Sequence, residues 1–140
     1  MSLTLIVLWH FLVRAGFGLL FMASGISKLL HARSVRRTIE RYALLPPMLV
    51  DLVARLLAPA ELASGLLMLY SLWMPVHVIA WTAATVMLIF FTVAIGSALA
   101  RGIVVPCGCG AILGDHLITP ATIARNLLLI ALLAIDAALP

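Results

Sequence analysis

Four apolar runs dominate the chain, and each is long enough to cross a bilayer, which takes about 20 residues of helix. The first covers residues 3–30, interrupted by His10, Arg14 and the small residues Ala23-Ser24-Gly25, and it closes on Lys28. Its length, and the lack of a basic stretch ahead of it, fit a retained span better than a cleaved leader. The second covers 48–72, with Asp51 and Arg55 in its first turns, Pro59 and Glu61 near its middle, and Tyr70 and Trp73 at its end. Tyr and Trp favour the membrane boundary. Pro75 suits the first turn of a third helix over 75–100, and Thr119-Pro120 supplies the N-cap and first-turn residues of a fourth over 120–139.

Two polar stretches interrupt this pattern. In residues 31–45 the basic positions His31, Arg33, Arg36, Arg37 and Arg41 alternate with Val35, Ile39, Tyr42, Leu44 and Leu45. Val35, Ile39 and Tyr42 recur at steps of four and three, which is helical spacing, so a short amphipathic helix lying in the membrane interface is expected before Pro46-Pro47 turns the chain back. The second stretch, 101–119, is a loop of turn-formers that includes Pro106-Cys107-Gly108-Cys109-Gly110 and Gly114-Asp115-His116. The expected architecture is all-α: one domain over 1–140, a four-helix transmembrane bundle with an interfacial helix between helices one and two.

Composition narrows the class further. Of 140 residues 65% are hydrophobic and 10% charged, where a soluble domain carries about a quarter charged residues. A soluble globular protein is thereby set aside. The net charge of +4 does not point to nucleic acid, because no basic patch lies beside exposed aromatics on a polar surface. Basic residues instead flank the loops: Lys28, Arg33, Arg36, Arg37 and Arg41 at the first connection, Arg101 and Arg125 at the third. Cation bias places both polar loops on the cytoplasmic side of a multi-pass inner-membrane protein, with the termini outside. Independently of that bias, four spans put the first and third loops on one side, so Lys28, the basic segment, the Cys loop and Arg125 share a leaflet.

Chemistry rests on few residues. Arg14 and Glu61 both fall near mid-span, and charges at that depth usually face the bundle interior and pair, so an Arg14–Glu61 ion pair between helices one and two is expected, with Pro59 loosening the ladder nearby. Its role is either a proton or substrate path or the fixing of helix register. Cys107 and Cys109 stand one residue apart, and Gly108 and Gly110 permit the dihedrals a small-ring disulfide needs. A strained disulfide is easily reduced, which suits a catalytic pair better than a staple. Arg101, Arg125 and Lys28 would supply positive charge that favours thiolate, and the dipole of the fourth helix acts in the same sense. The competing readings are inert cysteines, or a soft-metal site for Cu(I) or Zn with His116 or Met74 as helpers, for which the sequence holds no full ligand set. His10 and His77 fall in the same outer half of the bundle; packing is the plainer reading, haem ligation or quinone coupling the other. Met22, Met48, Met68, Met74 and Met87 are scattered in the manner of core filling.

The ordered set Arg14, Gly18, Ser24-Gly25-Ile26-Ser27-Lys28, Tyr42, Leu45-Pro46, Pro59, Glu61, Gly65, Cys107-Gly108-Cys109-Gly110 and Arg125-Asn126 resembles the DoxX-like membrane proteins, and most closely the MauE family of methylamine utilisation. The resemblance covers nearly the whole chain. In the MauE type, Phe-Gly usually follows the second Cys; Gly110-Ala111 stands here. The resemblance implies a four-helix membrane protein that works with a thioredoxin-like partner in forming or transferring disulfides, as MauE is thought to do in maturation of methylamine dehydrogenase. Other DoxX-like members are linked to thiosulfate-dependent quinone reduction and to oxidative-stress complexes.

Together these readings give a thiol–disulfide redox component, a candidate oxidoreductase in which Cys107 and Cys109 cycle with a thioredoxin-fold protein or a quinone. Arg101, Arg125 and Lys28 support the thiolate, and Arg14 with Glu61 holds the bundle. Two other classes stand beside it: a carrier of a soft metal or sulfur species through the Cys pair, and a membrane anchor subunit without chemistry. A cytoplasmic Cys pair suits electron relay from cytoplasmic thiols, an outer one suits substrate oxidation.

Overall fold

The computed structural model describes residues 2–106 and 117–140. Its helices are α1 (Leu3–Leu30), α2 (Ala32–Tyr42), α3 (Pro47–Tyr70), α4 (His77–Ala100) and α5 (Pro120–Ala138). Helices α1, α3, α4 and α5 are each long and apolar enough to cross a membrane. They form a four-helix transmembrane bundle, with α2 as a short helix at one end between α1 and α3.

The bundle differs from a soluble one in carrying large apolar side chains on its outer surface as well as in its core. Each span buries a single stripe at helical spacing, and these stripes are rich in small and polar residues: Phe17, Gly18, Phe21, Ser24, Gly25 and Lys28 on α1, and Leu57, Ala58, Glu61, Ser64, Gly65 and Met68 on α3. The outward faces carry Leu5, Leu12, Leu19, Leu56, Leu66, Ile79, Val93 and Leu128, all exposed. In lipid those side chains cost nothing, whereas a polar group facing hydrocarbon does, so the polarity rather than the hydrophobicity of a residue decides which way it points.

Glycines fix how α1 sits on α3. A Cβ at Gly65 would lie 2.9 Å from Gly18 O and from Met22 N, and one at Gly18 would lie 2.6 Å from Leu69 Cγ. One at Gly25 would lie 2.8 Å from Leu62 Cγ and 3.1 Å from Ala58 O. The two backbones touch, as small residues allow at membrane helix crossings. These contacts set an antiparallel register in which Gly18 stands level with Gly65 and Gly25 with Ala58 to Leu62.

The ends follow local rules. Gly102, at φ +67°, closes α4 in a Schellman motif: Gly102 N donates to Leu99 O and Ile103 N to Ala98 O, both at 3.0 Å. Thr119 caps α5 as expected, its N–H donating to Thr122 Oγ1 at 3.2 Å, with Pro120 in the first turn. Pro75 departs from expectation. It lies before α4 in the Ser71–Val76 turn, where Val76 N donates to Met74 O at 2.8 Å, and the helix opens at His77. That tight turn holds Val76 outside helical geometry, so Pro75 ends the connection instead of starting the span.

Candidate functional site

Two buried polar clusters occupy opposite halves of the bundle. In the half that carries α2, Lys28 near the end of α1 reaches across to Glu61 in α3. Lys28 Nζ donates to Glu61 Oε1 and Oε2 at 2.8 Å each and to Ser24 Oγ at 2.7 Å. The ammonium therefore uses all three of its protons. Both residues are buried, Lys28 at 5% and Glu61 at 0% relative exposure. The Phe91 ring of α4 lies 5.4 Å from Nζ, near enough for a cation–π contact.

The other half is organised around Asp136 near the end of α5, which is fully buried. His10 Nδ1 donates to Asp136 Oδ1 at 2.7 Å, Trp81 Nε1 to Oδ2 at 2.7 Å, and Arg14 Nε to Oδ2 at 3.4 Å. Arg14 also donates to Ser71 O at 3.2 Å and lies 5.3 Å from the centre of the Trp81 ring. His77 stacks at a tilt against that ring, 4.9 Å between centroids. One carboxylate thus ties α1, α4 and α5 together, and Arg14 adds the end of α3.

This corrects the expected Arg14–Glu61 pair. Each residue is paired, but with another partner: Arg14 with Asp136, Glu61 with Lys28. The glycine contacts place Glu61 level with Ser24, ten residues beyond Arg14, an axial offset of about 15 Å. Counting depth from the start of each span misses this, because α1 runs 28 residues, about 42 Å at 1.5 Å per residue, and overhangs the hydrocarbon layer. Asp136 was the residue that sequence reasoning passed over. An acidic group one turn from the end of an apolar run, on the side of the membrane that also holds Arg14, was the available signal.

Between the clusters lies packed apolar matter: Phe17, Phe21, Met68, Ala80, Ala84, Leu88 and Leu133 form one buried group. Among the described residues no His, Cys, Asp or Glu side chains gather in a set of three suited to a metal ion.

Cys107 and Cys109 lie outside the described residues, as does His116. The residues on either side of that segment pair with each other. Ile118 N donates to Val105 O at 3.0 Å, and Pro106 and Leu117 form an antiparallel bridge. Val105 and Ile118 are buried against Ile95 and Ala98, with Tyr42, Leu99, Ile103 and Ile123 around them. Of the cations expected to support the thiols, Lys28 is engaged with Glu61. Arg101 donates to Ser97 O at 3.1 Å, to Ala43 O at 3.2 Å and to Tyr42 O, fastening the end of α2 to the end of α4. Arg125 lies in the first turns of α5, on the same side of the bundle.

No curated protein and no solved structure matches the chain. A family model does: the one described as methylamine utilisation protein MauE matches residues 3–139. Covering all four spans, both charge clusters and the cysteine segment, that match makes the chain a member of the MauE family.

Proposed function

We propose that the chain is a membrane component of methylamine utilisation in which Cys107 and Cys109 cycle between dithiol and disulfide. In the forward step the two thiols give up two electrons and two protons as the sulfur–sulfur bond forms. A thioredoxin-like partner's disulfide takes up both and opens to two thiols, and a quinone reduced to quinol balances the same step.

The observation that supports this reading best is the pairing of Pro106 with Leu117, the residues that bracket the cysteine segment in the chain. Cys107 follows directly on Pro106, whose strand-like bridge to Leu117 rests on buried Val105 and Ile118. That bridge brings the two ends of the cysteine segment together a few residues before α5, whose opening turn contributes its positive end. A carrier gated by intramembrane charges gains less support, since the apolar group around Phe21 and Met68 fills the space between the two clusters.

The proposed setting is the inner membrane, with the cysteine segment on the cytoplasmic side by cation bias. Trapping cells with an alkylating reagent tests the cycle. Two oxidation states, separated by the mass of two labels after reduction, are expected, together with loss of function in Cys107→Ser and Cys109→Ser. Full function in the double variant would leave only the anchor reading.

A further inference from the structure

Helix α2 has two dissimilar faces. Val35, Ile39 and Tyr42 are half-buried, Tyr42 against the apolar cluster of Ile95, Ala98, Val105 and Ile118. At 3.6 residues per turn, Arg33, Arg37 and Arg41 fall on one stripe on the opposite side of the helix. All three are exposed. Arg36, at the edge of that stripe, takes up the nearby acids, Glu40 at 3.2 Å and Asp51 at 2.8 Å. The stripe itself has no ion pair among the described residues.

The neighbours of α2 give its height. Leu29 and Leu30 just before it, and Leu44, Met48 and Leu49 just after it, are exposed, Met48 at 89%. Exposed apolar side chains call for hydrocarbon, while guanidiniums call for water or counter-charge. Their succession along the chain sets α2 at the boundary between the two. The helix is also held in place by the protein: its last turn is fastened through the Tyr42 and Ala43 carbonyls to Arg101, and Ala43 turns the chain at φ +48°.

We infer that the Arg33–Arg37–Arg41 stripe binds the headgroups of anionic phospholipids, gathering them around α2. A guanidinium grips a phosphate through paired N–H donors, and the stripe repeats that group every four residues, about 6 Å along the axis. The flanking lipid-facing residues favour this occupant over an acidic protein, which would have to approach across exposed leucines and methionine.

The test uses the full chain in vesicles of phosphatidylcholine containing a minority of phosphatidylglycerol. The protein is extracted in mild detergent, and its retained lipids are counted by native mass spectrometry. Each cation near an anionic surface contributes about fivefold, so retention of phosphatidylglycerol over phosphatidylcholine is expected to exceed the vesicle ratio by about tenfold or more. The variant R33Q/R37Q/R41Q loses this preference, and R55Q, which alters an exposed arginine off the stripe, keeps it. Raising the salt abolishes the preference in the unaltered protein, an arm that needs no variant to fold. Retention at the vesicle ratio, a preference unmoved by salt, or a helical triple variant that still selects phosphatidylglycerol overturns the inference. Displacement of the bound lipid by an equimolar acidic peptide overturns it too, in favour of a protein partner.

Discussion

Lys28 Nζ stands 2.8 Å from each oxygen of the Glu61 carboxylate, inside a bundle that leaves neither side chain open to its surroundings. Two opposite charges so placed are cheap together and costly apart. Removing one partner leaves a buried, uncompensated ion, which costs about 3–5 kcal/mol in protein interiors. Lys28→Met and Glu61→Leu are each expected to lower stability by that order. The double variant should recover most of the loss, because two apolar side chains satisfy one another in lipid-like surroundings. Thermal unfolding of the four proteins in one detergent, read as a double-mutant cycle, checks the prediction.

Around Asp136 the same logic gives a graded result. Trp81→Phe keeps an aromatic face for Arg14, on a smaller ring, but removes the N–H that donates to Oδ2 at 2.7 Å. A hydrogen bond to a charged acceptor contributes about 1.5–3 kcal/mol, and a loss of that size is expected in denaturant unfolding. Asp136→Leu should cost more, since it strands Arg14 as well.

The glycines separate packing from propensity. Gly65→Ala pushes a methyl group into Gly18 O and Met22 N at 2.9 Å; backbone atoms cannot step aside, so α1 and α3 must move apart, at about 1–3 kcal/mol. Gly16, where a Cβ meets nothing within 4 Å, provides the contrast. Gly16→Ala gains helix propensity and is expected to be neutral or to stabilise by up to about 1 kcal/mol. The unfolding midpoint should fall below the parent protein's in Gly65→Ala and stay level with it or rise in Gly16→Ala.

How far the sequence revealed this arrangement follows from what each signal encodes. Apolar run length encodes lipid contact, so the four spans and the helix around Val35, Ile39 and Tyr42 were legible. Thr119-Pro120 encodes a cap by purely local geometry, and it forms where expected. The partner of Glu61 was not legible by counting, because register depends on which surfaces come closest. That is settled by Gly18 against Gly65 and Gly25 against Leu62, contacts between residues about 40 apart in the chain. Asp136 was opaque for a related reason: its three hydrogen-bond partners, His10, Arg14 and Trp81, come from α1 and α4, and nothing beside it in the sequence announces them.

The register also redistributes the electrostatics proposed for the thiol pair. Lys28 was expected to favour thiolate at Cys107 and Cys109, but its charge is matched by Glu61 at 2.8 Å, and a paired charge presents little net field at a distance. Arg101 differs: its partners are the neutral carbonyls of Ser97, Ala43 and Tyr42, so its positive charge stands uncancelled six residues before Cys107. On the redox reading, removing Lys28 and Glu61 together should leave the rate of thiol alkylation within about twofold of the parent, a net change of zero charge. Arg101→Gln removes one positive charge from the same end of the bundle and should slow alkylation several-fold near neutral pH, the thiolate fraction falling as the thiol pKa rises. Alkylation rates followed across pH distinguish the two variants. Equal slowing in both would mean that Lys28, despite its partner, governs the thiols, and that the cysteine segment lies closer to the buried pair than to Arg101.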